Sequence, residues 1–429
     1  MLNYFNVAAF VAIAVLTALM FVVLFEPGLA YKTGAALPPT DSEEFFRLLG
    51  AVVDEPALEI AGYDVLNDGA AFYPAELDAI RLAQKTIHLE AFIFHATPIG
   101  ERFLAALVER AAAGVKVRVV VDAVGSMLTP NRFFEALRTA GGEVAWYQPF
   151  RWYTLKRFNN RTHREILVID GKTGFIGGAG IGTAWAEGKH GQRPWRDTMV
   201  RVDGPIAAAL QTVFVENWLE STGEILAGEA VFPIGNAYRP PNVVRRRLSM
   251  VVASTPSAGR ATRARILFQL LVAAARTSIC INSPYFLPDR AMRRELLQAA
   301  RRGVKVTVIV PGKYNNHSMA RRASRRQYGE LLSGGVEIYE YQPGMIHTKI
   351  LIVDQLWSVI GSTNFDNRSF GLNDEVNLAV MDGEIADRLA LDFKRDLMLS
   401  RGIDFDEWAR RPVTERVLAA VGALIERHV

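Results

Sequence analysis

The sequence predicts an α/β protein made of two pseudo-twofold-related halves that share one cleft, preceded by a transmembrane helix. Three observations predict it. A set of landmarks occurs twice in the same order. Helix-period segments alternate with short apolar, β-branched runs, which argues for mixed or mostly parallel sheets covered by helices. Residues 7–25, VAAFVAIAVLTALMFVVLF, carry no charge, and nineteen such residues suffice to span a bilayer core as a helix.

The N-terminal run has a competing reading as a cleaved signal peptide, because GLA at 28–30 ends in small residues. It is long for one, and MLNYFN lacks the positive charge of such a leader. The uncleaved anchor is therefore preferred. Lys32 follows the span and no Lys or Arg precedes it, which tilts the catalytic part toward the cytoplasmic side of the inner membrane. Residues 1–30 read as the anchor, 31–60 as a linker and first helix, 61–235 as the first half, 236–400 as the second half, and 401–429 as a helical tail. The end of that tail, VTERVLAAVGALIERHV, is amphipathic and fits packing on the core or lying on a membrane surface.

The repeat runs through several elements. ALVERAAAGVKVRVVV (106–121) matches LLQAARRGVKVTVIV (296–310), each a helix, a glycine stop and a buried strand. RTAGGEVAWYQP (138–149) matches LLSGGVEIYEYQP (331–343). RTHREILVID (161–170) then matches IHTKILIVD (346–354), and FIGGAGIG (175–182) matches VIGSTNFD (359–366). Gly177 follows His163 by 14 residues, and Gly361 follows His347 by 14. The single cysteine, Cys280, sits in the strand-like TSICINSPYF and reads as core; one cysteine excludes an internal disulfide. No Cys/His cluster has zinc spacing, so neither metal nor cofactor is expected.

Alternate strand residues share a face, so His347 and Lys349 point one way, as do His163 and Glu165. Asp170 and Asp354 have the opposite parity and precede a turn, which suits holding backbone better than touching their own histidines. One histidine beside a strand is ordinarily structural. Two in matched repeats, each followed by a glycine turn, suit phosphodiester chemistry: one attacks phosphorus, the other moves the proton. Lys349 and Asn364 are candidates for holding phosphate oxygens. Glu375 and Asp197 follow their motifs at similar distances and are candidates for fixing the imidazole tautomers.

These residues resemble a known family. HTKILIVD with GSTNFDNRSF fits HxKxxxxD followed by GSxN, the signature of the phospholipase D superfamily, and the resemblance spans most of residues 60–410. GSTNFDNRSFGLNDEVNL, SPYFLPD (283–289) and PWRD (194–197) are similar to the cardiolipin synthase branch. The resemblance implies two phospholipase D-like α/β/α sandwich halves with one shared active site and no metal. It implies a phosphatidyl-histidine intermediate passed to an alcohol, with His163 as nucleophile and His347 as general acid. Asp170 and Asp354 join the catalytic set as motif residues. Ser362, Arg368, Arg161 and Glu165 are the substrate-binding candidates.

Two positions depart from the pattern: Glu165 stands where the second copy has Lys349, and Gly180 where it has Asn364. An ionised carboxylate about 4 Å from a phosphate oxygen costs roughly 4 kcal/mol at a near-surface dielectric, or a thousandfold in rate. Three readings of Glu165 stay open. It pairs with Arg161, Arg164 or Arg368; it accepts a bond from a head-group hydroxyl or amine; or the first half has lost its catalytic role.

The insertion FRWYTLKRFNNRT (150–162) mixes Trp152, Tyr153 and Phe158 with Arg151, Lys156 and Arg157. That composition suits a lipid headgroup region, single-stranded nucleic acid or a plain surface loop. Arg321, Arg322, Arg325 and Arg326 share a helical face, either solvated or set to neutralise a second anionic lipid. The formal net charge of +4 is a weak basic footprint, so no nucleic-acid partner is expected. The predicted function is a membrane-anchored phosphatidyltransferase making cardiolipin from phosphatidylglycerol, alone or with another phospholipid. The alternatives are a hydrolytic phospholipase D, a nuclease and a non-catalytic lipid-binding scaffold. The sequence leaves the acceptor and the oligomeric state open.

Overall fold

The computed structural model describes residues 9–15, 17, 31, 36–60, 62–152, 157, 159–188, 192–232, 248–257 and 261–412. Among these, no helix is long and apolar enough to cross a membrane. The predicted anchor falls mostly outside them; residues 9–15 are helical, with Phe10, Val11 and Ile13 exposed. The amphipathic segment 413–429 also lies outside the described residues, as do Tyr153, Lys156 and Phe158 of the insertion.

The repeat becomes two mixed sheets with one strand order. In the first half the order is Gly62–Asn67, Thr198–Asp203, Thr173–Gly177, Glu165–Ile169, Thr86–Ala91, Lys116–Asp122, Glu143–Tyr147. In the second it is Leu248–Ser254, Asn373–Met381, Trp357–Gly361, Ile350–Val353, Ser278–Asn282, Lys305–Pro311, Glu337–Tyr341. In each sheet the last three strands are parallel and the others antiparallel. The motif strands EILVI and ILIV are buried throughout, as strands covered on both faces must be. Gly114 and Gly303 end equivalent helices at φ of +87° and +86°, the left-handed turn that only glycine enters without strain.

Three apolar layers result. Helices Gly69–Leu82 and Pro98–Ala112 cover the outer face of the first sheet through Phe72, Leu77, Phe103 and Leu107. Helices Arg263–Ala274 and Arg290–Arg301 cover the outer face of the second. Between the sheets, Phe214 and Trp218 of helix Pro205–Thr222 share one cluster with Leu389 and Phe393 of helix Gly383–Met398. Each such side chain contributes about 1.5–3 kcal/mol on burial, so this layer binds the halves into one body.

The segments flanking the repeat belong to the second half. Helix Glu43–Val53, capped by Ser42 Oγ accepting from Phe45 N at 3.1 Å, buries Phe45, Phe46 and Leu49 in the second-half core. Strand Leu58–Glu59 pairs with Leu248–Ser249, and strand Ser400–Gly402 with Tyr339–Tyr341. Cys280 is half-buried on its strand.

Candidate active site

The histidine pairs cross between the halves. His163 Nδ1 lies 3.1–3.2 Å from both carboxylate oxygens of Glu375, which belongs to the second half. His347 Nδ1 lies 2.8 Å from Asp197 Oδ2, which belongs to the first. Backbone fixes the same exchange. His163 N–H donates to the carbonyl of Asp374 at 2.9 Å, and His347 N–H to that of Arg196 at 2.7 Å. Each histidine is thus tied to the residue preceding its own carboxylate. Strand Arg161–Thr162 pairs in parallel with Asn373–Asp374, and a bridge joins Arg196 to Ile346.

Both carboxylates are fully buried. Burial pushes Glu375 up, but the charge and hydrogen bond of His163, with the hydrogen bond of the Ser362 hydroxyl, hold it below the usual range. Ser362 Oγ donates to Glu375 Oε2 at 2.5 Å. Asp197 behaves alike: burial is outweighed by Lys349, His347 and the Trp185 indole N–H, 2.9 Å from Oδ2. Both stay anionic and take the Nδ1–H of their histidines, leaving each Nε2 for chemistry.

The two histidines have different surroundings. His347 lies between Trp185 and Trp195, with ring centroids 5.2 and 5.1 Å away. Burial and the Lys349 ammonium push its pKa down to about 4, against the pull of Asp197. His163 is the more exposed, with the Phe92 ring edge-on at 5.2 Å.

Lys349 crosses the pseudo-twofold. Its Nζ donates to the carbonyls of His347 at 2.7 Å and of Gly178, in the first half, at 3.3 Å. It also lies 2.8 Å from His347 Nδ1. That nitrogen serves one neighbour at a time, and the anionic Asp197 is the stronger claim on its proton. Gly178 makes the crossing possible, because a Cβ there would stand 2.6 Å from Nζ.

Glu165 is buried on the same side. Its Oε1 accepts the backbone N–H of Phe92 at 3.2 Å and of Ile93 at 3.3 Å. Burial raises its pKa well above the carboxylate range, against the Ile93 N–H, Lys349 and the Phe92 N–H. Gly180 leaves the space: a Cβ there would meet Ile93 at 2.8 Å and Glu165 Oε1 at 3.0 Å. The two departures from the repeat are therefore packed against one another.

Of the three readings of Glu165, its pairing with Arg161, Arg164 or Arg368 does not form. Arg164 is buried against Val213 O and Glu216, at 3.0 and 2.7 Å. Arg161 donates to Gln148 O at 2.8 Å and lies 3.5 Å from Asp122. Arg368 donates to Asn159. Arg368 lies instead on the His163 side, near Arg161 and near Asp366, whose pKa burial raises to about 7. Asn364 is buried, and its Oδ1 accepts no hydrogen bond among the described residues.

Asp170 and Asp354 are placed away from the histidines, which corrects their inclusion among residues that touch the reacting atoms. Asp170 accepts the N–H groups of Gln84, Lys85 and Thr86, and Asp354 those of Arg276, Thr277 and Ser278. Both adopt left-handed backbone, φ +53° and +54°. Each staples the turn after its motif to the start of the neighbouring strand. The arginine face of helix Ser318–Ser333 is also partly turned inward, since Arg321 and Arg325 both pair with the buried Glu340.

Sequence reasoning missed Phe92, Trp185, Trp195 and Gly178. Trp195 stood within PWRD. Gly178 stood within FIGGAGIG, aligned with Ser362 by the repeat, whereas Phe92 and Trp185 carried no spacing signal, because their contacts exist only once the sheets are packed.

The chain is similar to known proteins. A family model described as cardiolipin synthase, PLD-like domain, matches residues 77–218 and 268–397. Cardiolipin synthase A of Pseudomonas putida (strain W619) is 36% identical over 371 residues, covering 86% of this chain and 75% of that one. The major cardiolipin synthase of Bacillus subtilis (strain 168) is 32% identical over 363 residues, covering 84% and 74%. Among solved structures, phosphatidylserine synthase of Haemophilus influenzae Rd KW20 aligns with a TM-score of 0.71 over 90% of this chain and 99% of that one; at 15% identity the likeness is one of fold. A repeat that crosses its histidines and carboxylates, and these matches along most of its length, place the chain in the cardiolipin synthase family of phospholipase D-like proteins.

Proposed function

We propose that the chain is a membrane-anchored phosphatidyltransferase that joins two phosphatidylglycerol molecules, or phosphatidylglycerol and another phospholipid, into cardiolipin. The observation that carries this reading is the crossed pair of His–carboxylate couples, each with Nδ1 committed and Nε2 left for reaction. His163 Nε2 attacks phosphorus and His347 protonates the departing glycerol oxygen. The covalent phosphatidyl-histidine then meets the hydroxyl of a second lipid. His347 removes its proton, the oxygen bonds to phosphorus, and the P–N bond breaks. Lys349 and Asn364 face the growing charge on the phosphate oxygens.

His347 is neutral at pH 7 in this environment. The negative charge of a bound phosphodiester offsets Lys349 and favours the protonated ring, so its acid role is coupled to substrate. The same neutrality supports a second reading, in which His347 attacks and His163 is the acid. A non-catalytic scaffold is disfavoured, because its histidines would have no need of anionic partners. The anchor at residues 7–25, with the catalytic part on the cytoplasmic side of the inner membrane, belongs to this proposal.

The test is a lipid mass spectrum of the full chain incubated with phosphatidylglycerol vesicles, with and without phosphatidylethanolamine. Cardiolipin with released glycerol is expected. Phosphatidic acid alone would make the protein a hydrolase, and no new lipid would leave the scaffold.

A further inference from the structure

We propose that the loops 123–130 and 148–152 form a wedge that enters the bilayer beside the His163 side of the cleft. The inference rests on the lipid-substrate reading above. Strands Lys116–Asp122 and Glu143–Tyr147 are parallel neighbours, with Asp122 opposite Tyr147. Ala123 N–H donates to Tyr147 O at 3.1 Å, so the two loops leave the sheet side by side. They expose Met127 by 71%, Leu128 by 77%, Phe150 by 69% and Trp152 by 80%. A cluster of large apolar side chains this exposed marks an interaction surface.

The first loop is built to hold its tip outward. Asp122 Oδ1 accepts Val124 and Gly125 N–H at 2.8 and 2.9 Å. Ser126 Oγ donates to Phe92 O at 3.0 Å and accepts Phe94 N–H at 2.9 Å. Thr129 Oγ1 donates to Phe94 O at 2.7 Å and accepts Ala96 N–H at 3.2 Å. Met127 and Leu128 sit between these two anchors, so their exposure is imposed by the backbone. The same anchors fix Phe92, whose ring lies against His163, so the tip and the site form one rigid unit.

The occupant is a lipid surface. Arg132, just after the first loop, and Arg151, within the second, are exposed, and arginines beside an aromatic and aliphatic tip match the bilayer interface and anionic headgroups. A wedge here also brings a headgroup to the histidines while its acyl chains stay in the membrane.

The test uses the full chain in phosphatidylglycerol/phosphatidylcholine vesicles, on a Cys280→Ser background. An environment-sensitive fluorophore is placed through Met127→Cys, Leu128→Cys or, as control, Leu82→Cys. Leu82 is 72% exposed but lies at the opposite end of the first sheet, before strand Thr86–Ala91. Acyl-chain-brominated lipids should quench the probes at 127 and 128 about twofold or more and leave the probe at 82 unquenched. Equal quenching at all three positions, or none at 127 and 128, would overturn the wedge. Blue-shifted but unquenched probes would mean that the loops meet protein, and would overturn it too. Because quenching needs no turnover, it separates this failure from failure of the transferase reading. In addition, Met127→Asp with Leu128→Asp should lower the ratio of activity on vesicles to activity on monomeric short-chain phosphatidylglycerol about tenfold or more. An unchanged ratio would count against insertion.

Discussion

Glu165 places a carboxyl where the repeat has a lysine, and its contacts decide what that means. Burial raises the pKa of Glu165 well above the carboxylate range, against the two backbone N–H groups on Oε1 and Lys349, which favour the ionised form. Protonation of Glu165 removes the roughly 4 kcal/mol repulsion expected of an ionised group. The positive charge comes from Lys349, reaching over from the other half. Glu165→Gln should therefore keep kcat/KM on phosphatidylglycerol vesicles within about threefold of wild type, since it mimics the neutral acid. Glu165→Lys should lower it about a hundredfold or more, because a second ammonium would crowd Lys349. A Gln variant as damaged as the Lys variant would show that the ionised carboxylate is needed. The sequence exposed the charge inversion at this position and left three meanings open: an arginine partner, a head-group contact or a lost catalytic role. The backbone amides of Phe92 and Ile93 have no sequence signature, so these partners were hidden.

At the scale of elements, the turn from Gly177 to Gly180 does the work that GSTN does in the second half. Ser362 uses its hydroxyl to orient Glu375, whereas Gly178 uses its missing side chain to admit Lys349. Gly178→Ala should displace the flexible end of Lys349 rather than the backbone. We expect kcat to fall about tenfold or more, with a thermal midpoint within a few degrees of wild type. A large loss of stability with normal kcat in the folded fraction would mean that the glycine serves packing alone. The duplication, the glycine stops and the buried motif strands were legible, because hydrophobic period and repeat landmarks are local properties, whereas the order of the strands in each sheet was not. The opposite parity of Asp170 and Asp354 was legible as well, and their place at the turns follows from it.

At the scale of the molecule, the halves are joined where the chemistry occurs. Backbone bonds from His163 to Asp374 and from His347 to Arg196 cross the interface, and Arg196 adds an ion pair to Asp396 at 3.0 Å. The apolar layer around Phe214 and Phe393 closes behind them. Neither half holds a complete site. The sequence paired motifs with carboxylates by distance along the chain, and distance cannot tell which half supplies which partner. That exchange depends on how two sheets face each other. A lipid substrate adds a further constraint: at about 0.8 kcal/mol per CH₂, drawing even ten methylenes out of a bilayer costs about 8 kcal/mol. A site that works on intact phospholipids gains by working at the membrane surface.

The central claim is a single composite site that forms a covalent phosphatidyl-histidine. The most direct test is to quench the full chain during turnover on phosphatidylglycerol under alkaline denaturing conditions, digest it, and map the adduct by mass spectrometry. A phosphatidyl group is expected on His163, and both it and cardiolipin formation should be absent in His163→Ala. Cardiolipin formed with no adduct on His163, or undiminished in His163→Ala, would contradict it.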